Sequence, residues 1–137
     1  MNHPITVQTI ISAPISKVWE AWNTPSHIEK WNHAGEDWHC PKAENTLSVG
    51  EKFFYTMAAK DGSFEFVFSG TFDDIVPNER VFSTLDDQRR LEVYFSEENG
   101  ATKLVEIFEP ENQNPREMQG MGWQMILDNF KKYVESL

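Results

Sequence analysis

The chain has 137 residues, enough for one domain with a sizeable core and too few for two. Twelve Lys and Arg against 22 Asp and Glu give a formal charge of −10, and with no basic stripe this speaks against binding the phosphate backbone of DNA or RNA. Five Trp, three Tyr and ten Phe exclude a disordered chain, and they raise the question of whether the rings fill a solid core or surround a hollow.

Ile5, Val7, Thr9 and Ile11 alternate and predict a strand, ended by Ser12-Ala13-Pro14. Ser16 is then placed as the cap of a short helix, Lys17 to Trp22, with Val18, Trp19 and Trp22 at helical spacing. Thr24-Pro25 breaks it. Ser26 is placed as the cap of a second short helix, His27 to Trp31, with Glu29 completing a capping box. Asn32 to Leu47 has no periodicity and reads as a long loop, a candidate lid or mouth.

Alternation then takes over. Phe53, Tyr55, Met57 and Ala59 share one strand face, and Lys60-Asp61-Gly62 is a hairpin turn. Phe64, Phe66, Phe68, Gly70 and Phe72 share a face of the next strand. Turns at Pro77-Asn78-Glu79, Asp86-Asp87 and Glu98-Asn99-Gly100 separate three more strands, with Val81-Ser83-Leu85, Leu91-Val93-Phe95 and Leu104-Glu106-Phe108 as their faces. After a polar link, Pro110 to Pro115, the stripe Gly120, Trp123, Leu127, Phe130 and Val134 predicts a long amphipathic helix. The fold class is α+β. Six antiparallel strands form a strongly twisted sheet around a long C-terminal helix, with two short helices after the first strand. No linker or repeat divides residues 1–137, so the chain reads as one domain.

Cys40 is the only cysteine, which excludes an internal disulfide and a multi-cysteine zinc site. The start, MNHPITVQTI, lacks the pattern of a secretory signal, and no apolar run approaches the ~18 residues of a membrane span. A soluble protein of the cytoplasm, with no membrane or nucleic-acid partner, is the expectation.

Ser12-Ala13-Pro14, Val18-Trp19, Trp22-Asn23-Thr24-Pro25 and Trp31 together resemble the opening of the SRPBCC (START/birch-pollen-allergen-like) superfamily. Trp38-His39-Cys40-Pro41, Gly50, Met57 with Lys60-Asp61-Gly62, Gly70-Thr71-Phe72 with Pro77, and Gly122-Trp123 with Leu127 resemble its branch related to the activator of the Hsp-ninety ATPase (Aha-type). That branch carries many bacterial stand-alone proteins, often labelled polyketide-cyclase-like. The resemblance runs from Ile5 to Glu135. It implies a helix-grip fold in which the sheet grips the C-terminal helix, often over a deep apolar cavity. It does not imply one function, because the superfamily holds carriers, receptors, cyclases and chaperone co-factors.

Glu106 is the most informative ionisable residue. It shares a face with Leu104 and Phe108, so it is either a carboxyl turned into the apolar interior or a solvated outer residue with Val105 and Ile107 as the inner pair. Turned inward, it would be a general acid/base or a polar anchor for a ligand. Arg89-Arg90 either reaches the cavity, pairing with Glu106 or Glu92, or forms an exposed hairpin with local ion pairs. His33, His39 and Cys40 invite a metal or Cys-His reading. Adjacent positions seldom converge on one centre, and further ligands are lacking, so no metal or cofactor is assigned. No Ser-His-Asp set, phosphate loop or His-Glu-x-x-His helix is present.

The candidate ligand-binding set is Trp31, Trp38, His39, Tyr55, Met57, Phe66, Phe68, Glu106, Phe108, Gly120 and Trp123. The catalytic candidates are Glu106 and His39. Met57, Met121 and Met125 would make the wall adaptable. Gly120 leaves room either for a ligand or for close packing against Trp19 or Trp22. The first functional expectation is a binding protein for a small apolar or aromatic molecule. The alternatives are a cyclase- or hydrolase-like enzyme and a module regulating a chaperone ATPase. A homodimer is compatible with such a domain.

Overall fold

β-Branched residues at alternate positions build β1 (Ile5–Ile11), whose inner side chains Ile5, Val7 and Ile11 are buried. The computed structural model describes residues Met1–Leu137 and continues with α1 (Ile15–Asn23) and α2 (Pro25–Trp31). Six further strands follow: β2 (Trp38–Asn45), β3 (Lys52–Ala59), β4 (Glu65–Val76), β5 (Arg80–Leu85), β6 (Arg90–Glu98) and β7 (Ala101–Phe108). The long helix α3 (Arg116–Glu135) ends the chain. All seven strands form one antiparallel sheet in the order β1-β7-β6-β5-β4-β3-β2. The first strand pairs with the last, and the sheet curls as a half-barrel against α3.

The strand absent from the sequence reading is β2. Its span lies inside the segment expected to be irregular, Asn32 to Leu47. The register slips between His39 and Lys42, so a bulge breaks the alternation that would reveal a strand. Pro41 is tolerated because β2 is an edge strand with one unpaired side. The sheet therefore has seven strands, not six.

The helix starts also differ from expectation. Pro14 and Thr24 are the N-caps, and neither Ser16 nor Ser26 caps a helix. Pro25 opens α2, where its fixed φ fits and its missing N–H costs nothing. Glu29, expected in a capping box, instead accepts the Ala43 backbone N–H at 2.9 Å and ties α2 to β2.

The aromatic question has a divided answer. At one end the interior is solid. Trp22 stacks on Trp31 at 4.8 Å, and the Phe130 ring meets both edge-on at 4.9 and 4.7 Å. Leu127, Phe130 and Val134 of α3 are fully buried there. The helix half from Arg116 to Ile126 has no fully buried residue, and beneath it the interior is open. No helix is long and apolar enough to cross a membrane.

Candidate functional site

A cavity of about 320 Å³ lies between the concave face of the sheet and the N-terminal half of α3. Period two on the strands supplies most of its wall. Phe53, Tyr55 and Met57 come from β3, Phe66, Phe68 and Phe72 from β4, Val81 and Ser83 from β5, Leu91 and Val93 from β6. Trp123 and Ile126 of α3 form the roof, and Trp22 and Trp31 close the end nearest the solid core.

Glu106 is the carboxyl in the sheet wall. Its register partners on β1 and β6 are Val7 and Val93, and its same-face neighbours on β7 are Leu104 and Phe108. Of the two orientations open to it, the structure has the inward one: the residue is 4% exposed. Its side chain makes no hydrogen bond, and desolvation pushes its pKa up to about 8. No polar side-chain atom of the protein is both sealed and unpaired, so the Glu106 oxygens open onto the cavity. Placing one carboxyl among apolar side chains without a partner is costly to folding, and the cost marks the position as chemically special.

Other polar groups on the wall are tethered or small. Asn45 donates to the Tyr55 hydroxyl and to the Asn23 carbonyl, both at 2.9 Å. Burial pushes the Tyr55 phenol up to about 12, so it is a neutral group with its own O–H free to donate. Ser83 is 2% exposed, and its hydroxyl has no hydrogen-bond partner within the protein. At the mouth, Arg89 donates to Asp87 at 2.7 Å and to the Glu109 carbonyl at 3.2 Å. Of the readings for Arg89-Arg90, the structure thus combines a local ion pair with a place at the cavity rim, and Glu106 is not its partner. Gln119 holds the Pro110–Pro115 link against α3 through the Glu111 and Asn114 carbonyls, both at 2.9 Å.

Seven sequence candidates lie on this wall: Trp31, Tyr55, Met57, Phe66, Phe68, Glu106 and Trp123. Four do not. Phe108 is fully buried behind the wall and stacks on Trp123 at 3.9 Å, fixing the roof indole. Gly120 faces β1, where an added Cβ would meet Ile5 Cγ2 at 3.6 Å, so neither Trp19 nor Trp22 is its neighbour. Trp38 and His39 sit on edge strand β2 opposite Ala59 and Ala58. Trp38 packs on Phe64 and Phe66 at 6.1 and 6.2 Å, making an aromatic cluster at the β3–β4 hairpin. The hairpin extends beyond the helix, which leaves Phe64 and Phe66 exposed despite their inward-looking pattern. Met121 and Met125 also differ from expectation: both point to solvent on the outer face of α3.

His39 and Glu106 do not meet in one site. Cys40 is buried, and burial pushes its thiol up to about 11, the opposite of an activated nucleophile. Sequence reasoning missed Ser83, Asn23 and Asn32, polar residues in the wall whose types carry no ligand signature. For Ser83 a signal existed. A serine between Val81 and Leu85 on an inner face is a gap in an apolar stripe.

Residues 12–135 match the family model described as activator of Hsp90 ATPase homolog 1-like protein. The chain belongs to this family. A solution structure of an AHSA1-like protein from Aeromonas hydrophila is 43% identical, with a TM-score of 0.91 over 97% of this chain and 92% of that one. A solution structure from Cytophaga hutchinsonii is 46% identical, with a TM-score of 0.84 over 96% and 92%. A crystal structure from Chromobacterium violaceum is 25% identical, with a TM-score of 0.87 over 97% and 98%. Among curated proteins the chain has no significant match. Within the AHSA1-like family, the curled sheet and C-terminal helix are thus accounted for as a shared fold.

Proposed function

We propose that the protein binds a small apolar or aromatic molecule in the cavity between sheet and α3. The cavity itself carries this reading. Its volume of about 320 Å³ lies at the low end of the ~300–1,000 Å³ span of small-molecule pockets. Its wall is mostly aromatic and aliphatic, with a few separated polar groups, the usual composition of such sites. A well-packed interior holds few voids larger than a water molecule, so a space of this size needs a purpose or costs stability. Native mass spectrometry of the protein purified from its own cell is expected to show a retained small molecule. A preparation that carries none, and whose cavity resonances ignore added aromatic probes, would remove the reading.

One observation favours a second reading, docking on a chaperone ATPase as the family name suggests. Met118, Met121 and Met125 lie exposed along the outward face of α3, on the opposite side from the cavity. Met121→Glu should then abolish any stimulation of an Hsp90-type ATPase while leaving cavity binding unchanged. Equal stimulation by both proteins would count against this face.

A further inference from the structure

Resting on the cavity-binding reading, we infer that the ligand is uncharged and largely apolar, with a carbonyl oxygen that seats against Glu106 and accepts a hydrogen bond from it. Glu106 then serves as the specificity-determining residue of the site. The first support is geometric. Glu106 is 96% buried by its 4% exposure, has only Val7, Val93, Leu104 and Phe108 as sheet neighbours, and finds no partner within the protein. Its oxygens open only onto the space a ligand would fill.

The second support is chemical. A carboxyl in such a wall is favoured in its neutral form, which offers one O–H donor. A ligand acceptor completes that donor. An anionic ligand could accept from the same O–H, but its own charge would be buried against the apolar wall without a free cation to pair it. An amine would require two charges, its own and that of an ionised Glu106, to be desolvated together in the apolar wall. Arg89, the basic residue of the lining, is already engaged by Asp87 and the Glu109 carbonyl.

Ser83 adds a second fixed point. It lies on β5, two strands from Glu106 and one inner position along from Val81, which shares a register row with Val93 and Glu106. With strands about 4.8 Å apart, the two polar groups stand on the order of 10 Å from each other. A fused-ring skeleton with a carbonyl at one end spans such a gap.

The pH dependence follows from which groups face the cavity. Tyr55 is pushed up to about 12. Glu111 is held below the usual carboxylate range by the Gln113 and Asn114 N–H groups. Arg89 is paired with Asp87, and no histidine lines the space. Glu106 alone changes charge near pH 8.

Four probes of one shape test the inference by titration: 2-acetonaphthone, 2-ethylnaphthalene, 2-naphthoate and 1-(2-naphthyl)ethylamine. At pH 6.5 the ketone is expected to bind about tenfold tighter than the hydrocarbon and the carboxylate, and tighter than the amine. That preference should fade as pH passes 8. Glu106→Leu should erase the ketone's advantage while keeping hydrocarbon binding. Glu106→Gln, which retains a donor, should keep the advantage and lose its pH dependence. Equal affinity of ketone and hydrocarbon, or a preference for the amine, would overturn the inference and leave the cavity reading standing. No binding of any probe would overturn both.

Discussion

Glu106→Gln is expected to stabilise the free protein by on the order of 3 kcal/mol at pH 7, and to leave it nearly unchanged at pH 4. The sign follows from proton linkage. The folded protein holds the Glu106 proton up to about pH 8, while an unfolded glutamate releases it near 4.5. Between those values the folded state binds more protons than the unfolded one, so wild-type stability falls as pH rises. Below the unfolded pKa both states are protonated and no penalty exists. Above the folded pKa both are ionised and the penalty is complete. Glutamine cannot ionise, and its neutral amide resembles the neutral acid in size and polarity. Asp86, Glu109 and Glu135 have lowered pKa values from their hydrogen bonds, so acidification weakens those contacts in both proteins. They cancel in the difference. Urea unfolding of both proteins at pH 4, 5.5, 7 and 8.5 reads that difference directly. Parallel stability curves would show that Glu106 is ionised in the folded state at neutral pH. A bound ligand that accepts from Glu106 would offset part of this cost, so ligand-free protein is the sample to use.

The period-two pattern was enough to place most of this site. Leu104 and Phe108 point Glu106 inward because alternation allows no other choice once the flanking pair is committed to the core. Tyr55, Met57 and Phe68 follow by the same rule. Where the rule lost its grip, a local feature had broken the period or the cover. At β2 a bulge and Pro41 hid the strand, and small buried residues, Cys40 and Ala43, gave no strong hydrophobic signal. At Phe64 and Phe66 the pattern was right, but the hairpin outruns α3, so alternation identified a face without a lid. Gly120 was read from its place on the helical stripe. Its actual neighbour is Ile5, because α3 leans on β1 at this level. Position on a helix face gives direction, whereas the identity of what lies opposite depends on the sheet order. The capping serines failed for a different reason: a proline can set a helix start without any side-chain bond. The hollow itself had no sequence signature separate from that of a core. A stripe of large apolar residues is common to both, and only the curl of the sheet decides how far the opposing faces stand apart.

Gly70 is the glycine whose missing side chain the sheet packs against most closely, and Gly70→Ala is expected to cost about 2–3 kcal/mol. Gly70 stands in β4 opposite Phe53 on one side and Leu85 on the other. A Cβ there would lie 2.7 Å from the Thr84 carbonyl oxygen and 2.9 Å from Phe53 Cζ. The first contact is with backbone, so turning a side chain cannot relieve it. The second is with a ring that covers the glycine and at the same time forms part of the cavity wall. Phe53 is also held by Tyr55, Phe68 and Phe72, with ring centroids 5.0 to 5.9 Å away, so it has little room to yield. The absent side chain therefore does two things. It lets β4 and β5 approach closely, just before the register slip between Phe72 and Asp74. It also lets an aromatic ring lie flat over the strand instead of projecting into the hollow. Alanine should force the ring outward, lowering the unfolding midpoint and weakening 2-acetonaphthone binding together. Adding Phe53→Leu should relieve the ring contact and leave the Thr84 contact, recovering only part of the loss in a double-mutant cycle. Full stability in Gly70→Ala would mean that the strands can part at no cost there.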